Sequence, residues 1–270
     1  MAARISITTS AELQAKAAAT LSQYLTEELR CPHAYIGGFA WSLLGSERPT
    51  EINILIELEN LDLPQLREAL ESRDGHFASA GIKLYFVEDP VEGLRGEELV
   101  RASRDNVVIE TLKAGTLGLP VVAEPIYVVE HFSGVSLPIL SPPVLLLTKM
   151  KRWYTTHDST RPKTVSKNKS DKEDLDFVLF WLSANDMKIE FDLYRGKTKS
   201  DLLKLVKAYR DKSCDNMALM EALQEVLHEE DWAAIQVTPE ASTSSGAELP
   251  SESTSESAPS AVEPALLLEE

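Results

Sequence analysis

The stretch Tyr35-Ile36-Gly37-Gly38, followed by an apolar segment at 39–44 and then Glu51-Ile52-Asn53-Ile54-Leu55-Ile56, constrains the fold more than any other part of the chain. It reads as a strand, a paired-glycine turn, one short helix, a loop and a second strand. Two adjacent glycines remove the Cβ atoms where strand becomes helix, so backbone N–H groups can approach an anion closely. The helix that starts there directs its positive end at the same point. Glu51 and Asn53 stand two positions apart on a strand and so project from one face. A carboxylate and an amide oxygen in that relation suit a divalent cation carried by a nucleoside triphosphate. The order therefore predicts a phosphate cradle followed by a cation-binding strand.

Residues 9–30 read as an amphipathic helix, with Leu13, Ala17, Leu21, Leu25 and Leu29 recurring every four positions and Thr9 with Glu12 forming a capping box. Strands are predicted near 35–36, 51–58 and 82–87 and within 121–132, with helices near 39–44 and 63–72. This alternation indicates an α+β fold, a mixed sheet flanked by helices. From residue 142 the pattern turns helical, with helices predicted over 143–153, 172–183, 200–212 and 216–232. The Thr-, Lys-, Ser- and Pro-rich segment 155–168 reads as a surface loop. After residue 238 the Ser/Thr/Glu/Pro/Ala composition lacks aromatics and periodicity and predicts disorder. The expected organisation is a core over 1–140, a helical part over 141–236 packing on it, and a tail over 237–270.

With 270 residues, 43% of them hydrophobic, the chain can bury an ample core. Its net charge of −16 argues against a nucleic-acid partner, which a cationic surface would serve. Much of that acidity lies beyond residue 240, where there is no Lys or Arg, while 149–172 is locally basic. Cys31 and Cys214 have no partners at metal-ligand spacing, so neither a zinc site nor a disulfide framework is indicated. Without a leader-like or membrane-length apolar run, the expected location is the cytoplasm, with the nucleus also open. His33, His76, His131 and His157 share no metal spacing, and no Gly-x-Ser-x-Gly occurs, which leaves hydrolase and dehydrogenase readings unsupported.

The combination of Gly37, Gly38, Leu44, Gly45, Arg48, Thr50 and Ile52 with a Leu145-Leu146-Leu147-x-Lys149 helix and Ser170-Asp171-x-x-Asp174-Leu175 resembles the nucleotidyltransferase superfamily of the DNA polymerase β type. The likeness spans roughly residues 30–185 and is in particular to the small stand-alone members found in filamentous fungi and the bacterial antitoxin-type relatives. It implies an NTP substrate, Mg²⁺, and transfer of a nucleoside monophosphate to a hydroxyl of a small molecule or protein. Gly37, Gly38, Arg48 and Thr50 would hold the nucleotide, Glu51 and Asn53 the Mg²⁺, and Lys149 would neutralise charge on the leaving pyrophosphate. The family's first two metal carboxylates fall on Glu51 and Asn53, and neither is aspartate. A third, which the family uses as general base, is expected within 82–87, where no acid occurs before Glu88. One carboxylate thus survives as glutamate, one is neutralised and one is missing. Two readings follow: a nucleotidyltransferase, or a catalytically inactive module of the same fold that senses nucleotide or binds protein.

Overall fold

A computed structural model describes residues 5–47, 51–122, 126–131 and 134–236; Arg48, Thr50 and the tail expected to be disordered lie outside the described residues. The first helix, α1 (Ala11–Gln23), buries Leu13, Ala17, Ala18 and Leu21. Its cap is Ser10, whose side chain accepts from the Leu13 N–H, instead of the expected Thr9–Glu12 box. A wider π turn (Tyr24–Glu28) carries Leu25 into the core. There follow β1 (His33–Ile36), α2 (Gly37–Leu43) and β2 (Ile52–Ile56). Next comes α3 (Leu63–Arg73), opened by a capping box between Asp62 and Gln65. The hairpin β3 (Phe77–Ala80) and β4 (Lys83–Phe86) leads into α4 (Gly96–Ala102) and β5 (Val107–Lys113). A second hairpin, β6 (Tyr127–Glu130) and β7 (Ser136–Ile139), closes the strand-bearing half.

Among the described residues these strands form one seven-stranded sheet in the order β3-β4-β5-β2-β1-β7-β6. It is mixed: β2 runs parallel to β5 and β1 parallel to β7, while the other neighbours are antiparallel. Side chains alternate between faces. Ile52 and Ile54 of β2, Ile109 of β5 and Leu84 and Phe86 of β4 enter the main core with Leu21 of α1 and Leu66 and Leu70 of α3. On the opposite face Tyr85 and Val108 join Ala78, Leu99 and Val100 in a smaller cluster beneath α4.

The remaining described chain is helical: α5 (Pro142–Thr156), α6 (Pro162–Ala184), α7 (Lys199–Ser213), α8 (Met217–Val226) and α9 (Glu229–Gln236). Trp153 of α5 meets Tyr209 of α7 edge to face with centroids 5.8 Å apart. Of the segment expected as a loop over 155–168, residues 157–161 do connect the two helices, while the rest is the end of α5 and the first two turns of α6. Pro162 occupies the first turn of α6, where its fixed φ and missing N–H carry no penalty, and the Lys- and Ser-bearing run after it continues the helix. The helix expected over 216–232 is two helices, broken at Leu227, whose backbone is extended. All of these elements belong to one compact unit over residues 1–237.

A buried histidine ties α1 to β1. The His33 ring lies 3.0 Å through Nδ1 from the Cys31 carbonyl and 3.0 Å through Nε2 from the Ser22 hydroxyl. The carbonyl can only accept, so Nδ1 carries the proton, and Nε2 faces the Ser22 hydroxyl. Burial pushes the His33 pKa below its ordinary value, opposed by the Cys31 hydrogen bond. The unfolded chain therefore binds more protons below about pH 6.5 than the folded one. His33 contributes stability that is present above that pH and is lost on further acidification. Urea denaturation should show stability falling from pH 7.5 to 5.5 more steeply in the wild type than in His33→Asn; equal slopes would remove His33 from the account.

Candidate functional site

The candidate site begins where β1 ends. Ile36 is extended (φ −135°, ψ 177°), and the next residue, Gly37, has φ +65°, the left-handed conformation that turns the chain into α2. A Cβ at Gly37 would lie 3.5 Å from the Asn53 Oδ1, so the glycine turn and the β2 side chain meet. Asn53 is half-buried and sits in register with Ile36 on one side and Glu110 of β5 on the other. Its Nδ2 donates to the Glu110 Oε2 at 3.3 Å. The contact fixes the amide orientation, because a carboxylate can only accept. Glu51 projects from the same face as Asn53, two positions earlier.

A third carboxylate is expected on the strand over 82–87, but that strand, β4, is separated from β2 by β5. The acid beside Asn53 is Glu110, exposed at the middle of Val107-Val-Ile-Glu-Thr-Leu-Lys. A run rich in β-branched residues holding one acid, between Asn106 and Gly115, was the available signal for both strand and residue. Lys83 completes the row. The register pairs Leu84 with Ile109, which places Lys83 across from Glu110 one step on. Its Nζ reaches to 3.6 Å from the Glu51 Oε2. Lys83, Glu110, Asn53 and Gly37 thus form a line across three strands and a turn, with Glu51 alongside.

Two magnesium ions held close together need several anionic oxygens. Here two carboxylates are available, a protein ammonium is paired with one and an amide N–H with the other. Among the described residues no group of three or more His, Cys, Asp or Glu converges in a way that could hold a metal ion. The donor set does not fit a two-magnesium centre.

Lys149 has a different setting. It is 8% exposed, and its ammonium lies 3.0 Å from the Asp171 Oδ1 and 2.6 Å from the Asp174 Oδ2, between α5 and α6. Arg152 closes on the Asp171 Oδ2 at 3.1 Å. The helix expected over 172–183 begins at Pro162 as α6, so Asp171, Asp174 and Asp176 lie in its middle, where they pair with cations. Asp176 pairs with Lys172 at 2.9 Å and accepts from the Tyr209 hydroxyl at 2.5 Å. A cavity of about 330 Å³ lies by the far end of α2, lined by Phe39, Ser42, Gly45, Gln14 and Glu130 among others. It excludes the row of Lys83, Glu110, Asn53 and Gly37.

A mixed sheet flanked by helices and followed by a helical part is the nucleotidyltransferase-like fold. In solved structures the chain is similar to an antigenic nucleotidyltransferase-like protein from Paracoccidioides brasiliensis, with a TM-score of 0.57 and 16% identity, over 81% of this chain and 95% of that one. No protein-family model matches the chain, and no curated protein matches it in sequence. No helix among the described residues is long and apolar enough to cross a membrane.

Proposed function

We propose that this protein binds a nucleoside triphosphate at the face formed by Gly37, Asn53, Glu110 and Lys83, and works as a catalytically inactive nucleotide-sensing or protein-binding module of the nucleotidyltransferase fold. The observation that carries this reading is the Asn53–Glu110 hydrogen bond beside the Gly37 turn. It keeps the glycine-lined approach to the sheet while replacing a metal-binding charge by a neutral amide. Nucleic acid is a poor partner for a chain of charge −16.

Glu110 favours a second reading. It is the exposed carboxylate beside Asn53 and would serve as general base for an acceptor hydroxyl of a small molecule or protein. In that case the protein transfers a nucleoside monophosphate slowly, with Glu51 and Asn53 holding one Mg²⁺. Calorimetric titration with each of the four NTPs, joined to a pyrophosphate-release assay in Mg²⁺ and Mn²⁺, separates the two. Saturable binding with no pyrophosphate is the expected result. Pyrophosphate release abolished by Glu110→Gln would establish the transferase, and absence of binding to any NTP would end both readings.

A further inference from the structure

We propose that the Lys83 ammonium takes the place of the divalent cation in this site, so that the site itself takes no metal and its anionic ligand is met by a protein cation. The metal half of this inference stands on the residues alone; the nucleotide half rests on the function proposed above.

The geometry of the lysine carries the argument. Lys83 belongs to β4 and Glu51 precedes β2, with β5 between them. Neighbouring strands lie about 4.8 Å apart, so a contact across two intervals spans about 10 Å. To bring its Nζ to 3.6 Å from the Glu51 Oε2, Lys83 and Glu51 must lean towards each other over β5, beside the row that holds Glu110. The ammonium is thereby drawn over the polar face instead of extending into solvent from its own strand.

The neighbouring substitutions agree with this placement. Glu51 and Glu110 are diagonal neighbours across β2 and β5, about 7–8 Å apart by sheet geometry. Such a pair of carboxylates attracts a cation between them. A metal ion and an ammonium cannot share that space, since each would repel the other. Asn53, standing between the two acids, presents its N–H to Glu110, an arrangement suited to a site holding one positive charge and unsuited to one holding four. A half-exposed ion pair of this kind adds little to stability. Stability alone is therefore a weak reason for the lysine to cross a strand.

The test uses the full chain and Mn²⁺ as the probe, followed by electron paramagnetic resonance. Acidic segments elsewhere contribute the same background to every variant, so differences are read. Wild type and Glu110→Gln should bind Mn²⁺ identically. The double variant Asn53→Asp with Lys83→Met should gain one site at least tenfold tighter than any background, and adding Glu110→Gln should remove it. Thermal melts establish that each variant folds; single Lys83→Met, at a half-exposed position, serves if the double variant does not. A wild-type Mn²⁺ site weakened by Glu110→Gln, or no gain in folded variants lacking Lys83, overturns the proposal. A second arm titrates ATP in EDTA and in Mg²⁺. Equal affinity in both, reduced at least tenfold by Lys83→Met in EDTA, supports it. Binding that requires Mg²⁺ overturns the Lys83 proposal and leaves the nucleotide reading standing. No ATP binding in either buffer ends the nucleotide reading, and the Mn²⁺ arm then decides Lys83 alone.

Discussion

Lys149→Met is expected to destabilise the protein by about 3–5 kcal/mol, because it removes the cation from a buried pair of carboxylates. The side chains of Asp171 and Asp174 are only 2% and 6% exposed and both contact the Lys149 ammonium. Methionine fills much the same volume, so the loss is electrostatic and not a cavity. Asp171 keeps Arg152, half-exposed at the rim. Replacing the network together, as Lys149→Met with Asp171→Leu and Asp174→Leu, should recover most of the loss, since apolar residues of similar size avoid desolvating the charges. Urea unfolding followed by circular dichroism measures both variants. The experiment also decides between two roles for this lysine. A loss below about 1 kcal/mol together with a large fall in NTP affinity would return Lys149 to the phosphate-facing role that the likeness implies; a large stability loss makes it the clamp between α5 and α6.

The parts of the fold that could be read from the chain are those in which local pattern and tertiary role agree. Leu13, Ala17 and Leu21 repeat at helical spacing because they face the core, and α1 is where they place it. The strand, glycine turn, helix and strand over residues 33–56 could be read because Gly37 must adopt a positive φ. Strand β5 was missed although it is central, and its burial explains why. Val107, Val108 and Ile109 are all fully enclosed, so the alternation that marks a half-exposed strand is absent, and one acid interrupts the run. Missing β5 hid Glu110 as the neighbour of Asn53, because the partner of β2 is a matter of sheet order, and sheet order joins residues 53 and 110 across α3, a hairpin and α4. Lys83 lies in the strand predicted over 82–87, yet its reach to Glu51 depends on the same unseen strand. The Lys149 pairings failed to emerge for a related reason: Asp171 and Asp174 sit a long way from the start of α6, and nothing local separates a loop from a helix in the Lys- and Ser-rich run before them.

Gly37→Val should abolish measurable NTP binding, with at least a tenfold fall in affinity, while costing about 1–3 kcal/mol of stability. Two effects act at once. The residue must hold φ +65°, which a β-branched side chain adopts only under strain. Its Cβ would already stand 3.5 Å from the Asn53 Oδ1, so the methyl groups beyond it press into the space between the turn and β2. Strain alone is isolated by Gly93→Val, at φ +83° with no atom within 4 Å of an added Cβ. Both variants should lose stability by similar amounts in urea, whereas calorimetry with ATP should separate them, Gly93→Val binding as the wild type does. If both bind ATP unchanged, the ligand lies elsewhere on the molecule and the cavity beyond α2 becomes the place to look. If both lose binding equally, the loss reports the strain of the fold and not contact with the ligand. Only loss confined to position 37 locates the nucleotide between the glycine turn and the Asn53–Glu110 pair, because that is the one place where the added carbons and a phosphate would compete for the same volume.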